Sequence, residues 1–135
     1  SRMKDPFLPI AHNDPAARAK ETVLYEDDAD MVIVDAFSFG PKALVVPKVE
    51  MLFPVDATEA QLARLAEIAA AMSDAFIDNG AQGPAKIWIN PPSALTVRQL
   101  HVHVQPQIAR PSDKRALWDA VSASIADHLR GETKA

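Results

Sequence analysis

Polar and apolar residues alternate most strictly at residues 100–106, where two histidines and a glutamine interleave with valines. Because successive side chains of an extended strand point to opposite faces, the pattern predicts a strand with His101, His103 and Gln105 on one face. The intervening valines face the other way and can anchor the strand in a core. The sequence therefore presents three hydrogen-bonding side chains in one row on a rigid element.

Four further segments, rich in β-branched residues, also predict strands. Acidic turn residues separate the first from the second, and a Gly-Pro pair precedes the third, which is typical of an antiparallel meander. The fourth lies downstream of a long helical pattern. These predicted strands are residues 23–26, 31–35, 43–46 and 86–90.

Two segments space their apolar residues three and four apart, which places them on one face of a helix. The first begins at a capping box formed by Thr58 and Gln61, and the Asn-Gly pair at 79–80 ends it. The second is predicted to start at a Ser112 cap and to end before Gly131. This order of elements predicts an α+β fold with about five antiparallel strands, one main helix and a C-terminal helix.

Composition limits the classes of function. The chain has 135 residues, enough for one domain with its own core. Its 18 acidic residues outnumber 14 basic ones, so we expect no nucleic-acid partner, although a local site can bind a small phosphorylated ligand. The absence of cysteine excludes disulfides and thiolate metal sites and favours the cytoplasm. The apolar runs are too short to span a bilayer, and we expect no membrane partner.

Proline positions suggest how the chain is organised. Residues 1–21 contain three prolines and predict an irregular lead-in. Residues 22–131 then form the domain, including the C-terminal helix. The remaining residues, 132–135, are predicted to be a frayed tail.

The histidine row suggests chemistry at phosphorus, because neutral imidazole is a nucleophile that titrates near neutral pH. His103 has a polar partner on each side and is the best nucleophile candidate, with His101 to orient it. The Gln105 amide can donate a hydrogen bond to a phosphoryl oxygen. A solvated polar face also fits these residues. So does a zinc site, which would need a third ligand, and only His12 and His128 remain among the histidines.

The chain resembles the histidine triad (HIT) superfamily, whose signature is three alternating histidines with apolar residues between them. Residues 25–35 are similar to the first hairpin of that family, and residues 43–48 to its strand that ends in Pro-Lys. Asn90 precedes His101 by eleven positions, a spacing that the family also shows. The resemblance covers residues 22–110 and implies the fold of that superfamily.

The resemblance also implies roles for individual residues in a nucleotide-processing enzyme that needs no cofactor. His103 matches the residue that attacks the α-phosphate to form a nucleotidyl-histidine, and His101 matches a supporting histidine. Asp35 matches the residue that binds the ribose hydroxyls, and Asn90 one near the α-phosphate. Both also suit plain turn positions, so a structural role stays open. Small members of the family often pair, which implies a homodimer.

Three departures from the family pattern bear on the reaction. Gln105 replaces the third histidine, as in galactose-1-phosphate uridylyltransferase and the dinucleoside tetraphosphate phosphorylases, which transfer the nucleotidyl group to a phosphorylated acceptor. Residues 96–98 replace the usual Gly-Gln-Ser loop. Lys42 stands where the family has a histidine. We therefore include Arg98, Gln99 and Lys42 as candidate phosphate-binding residues.

The sequence thus predicts a hydrolase or nucleotidyltransferase that acts on a small nucleotide. Residues 99–103, with Thr96 and Asn90 upstream, also resemble CDP-diacylglycerol pyrophosphatase, which gives one alternative. Another is a nucleotide-binding module without catalysis, because the loop and the third histidine are altered. A purely structural or interaction domain is the third alternative.

Overall fold

The computed structural model describes residues 7–18, 21–94 and 97–133. Thr96, together with parts of the predicted lead-in and tail, lies outside the described residues. No helix in the described part of the chain is long and apolar enough to cross a membrane.

Residues 7–18 of the lead-in differ from the predicted irregular segment, because they form two short helices, α1 (Phe7–Ala11) and α2 (Pro15–Arg18). Pro15 occupies the first position of α2, where proline is favoured because no intrahelical hydrogen bond is lost. Asp14 caps that helix, since its Oδ1 accepts from the backbone N of Ala16 at 2.9 Å. Pro15, which suggested a break in the chain, therefore lies at a helix start.

In the part of the chain that the structure describes, the strands form one antiparallel sheet of five, and the predicted α+β class is confirmed. Their order in the sheet is β1-β2-β3-β5-β4, so β1 and β4 are the edges. Each strand lies within two residues of its predicted bounds. The strands are β1 (Val23–Glu26), β2 (Asp30–Val34), β3 (Ala43–Pro47), β4 (Lys86–Trp88) and β5 (Val102–Gln105).

Helix α3 (Glu59–Asp78) confirms the predicted capping box. The Thr58 hydroxyl accepts from the Gln61 backbone N at 3.1 Å, and the Gln61 side chain accepts from the Thr58 backbone N at 2.8 Å. Gly80 follows with a φ of 104°, a conformation that glycine adopts without strain. Short 3₁₀ turns precede α3 and β5, at Pro54–Asp56 and Pro92–Ala94.

Helix α4 (Lys114–Thr133) departs from the predicted ends. Asp113, rather than Ser112, caps it, because the Asp113 carboxylate accepts from the Ala116 backbone N at 3.0 Å. The helix also continues through Gly131. A glycine lowers helix propensity by about 1 kcal/mol, which is too little to end a helix by itself.

The two faces of the sheet are covered by different layers. Strand alternation places one set of residues against α3 and α4, where the main core forms. The other set packs against α1 in a smaller apolar cluster. Because β5 alternates, its valines join the main core and His103 faces the α1 side. The smaller cluster contains Phe7, Ile10, Ala11, Met31, Ile33, Leu44 and Val46.

Candidate active site

A cleft of about 280 Å³ opens on the face of the sheet that α1 covers. His103 lies on β5, and His101 immediately precedes that strand. The cleft brings together residues from β2, β3 and β5 and from the segments that follow β2 and β4. Five of the sequence-predicted site residues line it: His101, His103, Asp35, Lys42 and Asn90.

His101 is held in one orientation by two contacts. Its Nδ1 lies 2.8 Å from the Gln99 carbonyl oxygen, which only accepts, so this nitrogen carries the proton and donates. Phe7 packs against the same ring in an edge-to-face arrangement, with centroids 5.2 Å apart. Burial lowers the pKa of His101, and the Gln99 hydrogen bond opposes that effect. His101 is thus a neutral, fixed neighbour of His103 at pH 7, with ring centroids 4.7 Å apart.

His103 has contacts on its face and at one ring nitrogen. Trp88 stacks on it, with ring centroids 4.7 Å apart and planes within 5° of parallel. The Asn90 amide nitrogen lies 3.2 Å from His103 Nε2. Nδ1 is buried and has no hydrogen-bond partner in the part of the chain that the structure describes. An unpaired buried polar atom lowers the free energy of unfolding by about 1–3 kcal/mol, so the His103 ring destabilises the fold by roughly that amount.

The surroundings of His103 favour its neutral form. Burial lowers the pKa of His103 to about 4, and the nearby Lys42 ammonium and His101 act in the same direction. Asp35 opposes them weakly. At pH 7 the ring therefore carries one lone pair on nitrogen, which is what a nucleophile requires.

Lys42 and Asp35 form the charged side of the cleft. Their Nζ and Oδ2 atoms are 3.3 Å apart, and both side chains are largely buried. The other oxygen of Asp35 accepts from the backbone N of Phe37 at 3.0 Å. Asp35 therefore fills the turn position that the sequence left open and also faces the cleft. Glu21 lies beside it, and burial together with the Asp35 charge raises the pKa of Glu21.

Several solved structures share this fold. A zinc-bound histidine triad family protein from Mycobacterium smegmatis is 25% identical, with a TM-score of 0.77, over 96% of this chain and 98% of that chain. A hypothetical histidine triad nucleotide-binding protein from Sulfolobus tokodaii is 22% identical, with a TM-score of 0.75, over 90% of this chain and 91% of that chain. The chain belongs to the histidine triad superfamily.

A HIT family hydrolase from Legionella pneumophila is also similar, at 20% identity and a TM-score of 0.61, over 76% of this chain and 91% of that chain. No protein-family model matches the sequence, and no curated protein matches it. Similarity to the superfamily therefore lies in the fold, with sequence identities of 20–25% to these three structures.

Gln105, which stands at the third position of the histidine triad motif, is not among the residues that line the cleft. It ends β5 opposite Lys86 of the edge strand, and its side chain is exposed. Strand alternation puts it on the same face as His103, but one residue pair further from the cleft. Its predicted contact with a phosphoryl oxygen stays a prediction.

Gln99 is fully buried and has structural partners for its whole amide. Its Nε2 donates to the carbonyl oxygens of Pro47 and Val49 at 2.9 and 2.8 Å. Its Oε1 accepts from the Met51 backbone N at 3.0 Å. The structure thus places the Gln99 side chain in the interior, where it ties the segment before β5 to the end of β3.

Arg98 is exposed and lines a different depression, beside Glu50 and Asp56. The structure therefore does not bring it to the histidine cleft. The side chains of Arg98 and Gln99, which are adjacent in sequence, both lie outside the cleft. One side chain points into solvent, and the other is held in the interior.

Three residues in or beside the cleft are not among the residues predicted from the sequence: Phe7, Glu21 and Trp88. Phe7 and Glu21 come from the predicted lead-in, and no local pattern connects them with the histidines. Trp88 could have been found, because it is two residues before Asn90 in a predicted strand and so shares its face. Its indole N–H donates to Asn90 Oδ1 at 3.0 Å.

The histidines proposed as a third zinc ligand are occupied elsewhere. His12 Nε2 lies 3.2 Å from the Lys48 carbonyl oxygen, and His128 Nε2 lies 2.7 Å from an oxygen of Asp78. Within residues 7–18, 21–94 and 97–133, no group of three or more histidine, aspartate or glutamate side chains is placed to hold a metal ion.

Proposed function

We propose that the chain is a nucleotide hydrolase or nucleotidyltransferase that acts at the α-phosphate of a nucleoside 5′-phosphoryl compound. The observation that carries this proposal is a neutral, buried imidazole, His103, at a cleft that also contains Lys42 and Asp35. The nucleotide-binding and hydrolase descriptions of the similar histidine triad structures support it.

The reaction proceeds by two displacements. The His103 lone pair attacks the α-phosphorus, a P–N bond forms, and the bond from phosphorus to the leaving group breaks. Water, or the phosphate of an acceptor, then attacks the same phosphorus and the P–N bond breaks, which returns the imidazole. Two steps with a reactive intermediate have lower barriers than one direct displacement.

The charged side of the cleft has separate tasks for the phosphate and the sugar. Lys42 stabilises negative charge that develops on the phosphoryl oxygens, and its position close to His103 suits that role. Asp35 accepts hydrogen bonds from the ribose hydroxyls with the carboxylate oxygen that the turn does not use. Val34 and Phe37, which line the cleft beside Asp35, provide apolar contact area for the base.

Intact-protein mass spectrometry after brief mixing with nucleotides tests the proposal. The panel holds dinucleoside polyphosphates, nucleoside phosphoramidates, and UDP- and CDP-linked compounds, each quenched at alkaline pH to preserve a phosphoramidate bond. We expect a nucleotide-sized mass gain that is absent in His103→Ala. His128→Ala is the matched control, because that histidine pairs with Asp78 away from the cleft. An adduct that persists in His103→Ala would contradict the assignment.

The second candidate is a nucleotide-binding module without catalysis. It is favoured by one observation: Arg98, Gln99 and Gln105, the residues predicted to complete the phosphate site, lie outside the cleft. In that case nucleotides raise the melting temperature, since a ligand stabilises the folded state that binds it, but no adduct forms. A melting shift without an adduct across the panel would therefore select this candidate.

We also propose that the chain pairs with a second copy through β4. This strand is a sheet edge, and Ile87 within it is 43% exposed. An open edge with an exposed apolar side chain favours strand addition from another molecule. Light scattering should therefore give the mass of a dimer, and Ile87→Lys should yield a monomer. A monomeric wild-type protein would exclude this pairing.

A further inference from the structure

We propose that Trp88 is a positioning residue that sets the tautomer of His103 through Asn90. In this arrangement Nε2 is the unprotonated nitrogen of the ring and keeps its lone pair at the cleft. The inference deepens the proposed function and rests on the nucleophilic role of His103.

The Trp88 N–H fixes the orientation of the Asn90 amide. An indole N–H can only donate a hydrogen bond. The Asn90 atom that lies 3.0 Å from Trp88 Nε1 must therefore be the carbonyl oxygen. The amide NH₂ is then on the other side, where it faces His103. Trp88 thus removes the ambiguity between oxygen and nitrogen that an isolated asparagine side chain would have.

The orientation of the Asn90 amide in turn fixes the role of His103 Nε2. An amide NH₂ has no lone pair to offer, so the 3.2 Å contact with His103 Nε2 holds only if Nε2 accepts. A neutral imidazole has one protonated nitrogen, and that nitrogen must then be Nδ1. The contact therefore selects one of two tautomers that are both accessible to a free imidazole.

Within the described residues, no other hydrogen bond to the His103 ring selects this tautomer. Nδ1 is buried and has no acceptor in the described part of the chain. The stacking of Trp88 on the ring fixes its plane but does not distinguish the two nitrogens. The preference therefore depends on the Asn90 amide, and the orientation of that amide depends on the Trp88 N–H.

The arrangement suits an attack at phosphorus. Asn90 lines the same cleft as His103, so its NH₂ marks the position where a phosphoryl oxygen can accept the same hydrogen bond. When a phosphoryl group arrives, Asn90 can transfer its hydrogen bond from the ring to that oxygen. The Nε2 lone pair is then released toward phosphorus, and no proton has to be removed first.

Nitrogen NMR of the ligand-free protein, labelled with ¹⁵N-histidine, tests the tautomer directly at pH 7.5. We expect the Nδ1–H form of His103 in the wild type and a mixture of both forms in Trp88→Phe, which keeps a stacking ring but lacks the N–H donor. Trp118→Phe is the matched control, because Trp118 packs against Phe76 in the main core. It should leave the His103 signals unchanged.

Asn90→Asp provides a second test that does not depend on the folding of Trp88→Phe. A carboxylate only accepts, so Nε2 must donate to it, and the Nε2–H tautomer should predominate. An Nε2–H tautomer in the wild type would overturn the proposal. So would a tautomer that is the same in Trp88→Phe and the wild type.

Kinetics with a substrate found in the mass panel complete the test. Because the rate scales with the fraction of the competent tautomer, Trp88→Phe should lower kcat about three- to tenfold and leave KM nearly unchanged. An unchanged kcat would count against the positioning role. The NMR spectra need no substrate, so the two proposals can fail separately. If the tautomers are as expected but no nucleotide adduct forms, the nucleophilic role of His103 is wrong, and the positioning of its ring by Trp88 is still supported.

Discussion

The two faces of the sheet differ in how they are covered and in what they contain. The face under α3 and α4 is packed almost entirely with apolar side chains. The face under α1 combines a small apolar cluster with two buried histidines and an ion pair. This difference indicates that the helical face provides most of the stability. The α1 face can therefore hold unpaired and desolvated polar groups.

The largest effect should come from Phe76→Ala on the helical face. Phe76 is fully buried on α3 and contacts the Trp118 ring with centroids 5.9 Å apart. The substitution leaves a large cavity that the closely packed neighbours cannot fill. It should therefore lower the free energy of unfolding by about 3–5 kcal/mol. Urea unfolding measures it, with Ile77→Ala as the exposed neighbour for comparison. Equal losses in both variants would contradict the view of α3 as the main core helix.

A glutamine pair gives the next largest effect. Gln99→Ala leaves two carbonyl oxygens and one backbone N–H without partners, so we expect a loss of about 2–3 kcal/mol. Gln105→Ala, at an exposed position, should change stability by less than about 0.5 kcal/mol. Urea unfolding of both variants checks the assignment of Gln99 to the interior. A stable Gln99→Ala with weakened nucleotide binding would reverse it.

Phe7→Ala tests the α1 face and should cost less than Phe76→Ala, about 1–3 kcal/mol, because α1 can detach without unfolding the sheet. The loss of the covering ring also rehydrates His101, and its pKa should rise toward 6.5. An NMR titration measures that pKa. Phe37→Ala, in which a ring that is 98% exposed is removed from the same cleft, should leave the pKa unchanged. If the pKa of His101 is the same in Phe7→Ala and the wild type, burial by α1 does not cause its low value.

The smallest effect is a pH dependence in which two groups oppose each other. The pKa of His103 is lowered from 6.5 to about 4, so the unfolded chain binds more protons between these values and stability falls as pH decreases through that range. The pKa of Asp30 is raised from 3.8 to about 6, mainly by burial, so its contribution is lost as pH rises through 6.

Two variants separate these contributions. His103→Gln should flatten the decline at low pH, by about 2 kcal/mol at pH 5, because the unfolded chain then has no imidazole at this position to take up a proton. Asp30→Asn should raise stability at pH 7 relative to pH 5. Unfolding curves between pH 4 and 8 measure both. If neither variant changes the pH profile, the two shifts do not control it.

The order of elements and the histidine face could be predicted because both depend on local periodicity. Alternation in β5 and the capping box at Thr58 are visible within a few residues, and both are present in the structure. The predicted end of β2 at Asp35 lies one residue beyond the observed end at Val34. Asn90, predicted as the last residue of its strand, lies two residues after β4. These features use short-range geometry that a single sequence contains.

What could not be predicted depends on long-range partners. Gln99 and Gln105 are both near the histidines in sequence, but only the carbonyls of Pro47 and Val49 decide that Gln99 points inward. The contact of Phe7 with His101 joins residues that are far apart in the chain. Proline in the lead-in was misleading because the same residue that breaks a helix interior also favours a helix start.

The stack between Trp88 and His103 has a spectroscopic consequence. The sequence contains two tryptophans, so Trp118→Phe leaves a single indole, parallel to the imidazole at 4.7 Å. Indole emission is quenched by a protonated imidazole in van der Waals contact and changes when a ligand alters the surrounding dipoles. The intrinsic fluorescence of Trp88 in this single-tryptophan protein would thus report two events without any label. These are the protonation of His103 and the binding of a ligand in the cleft beside it.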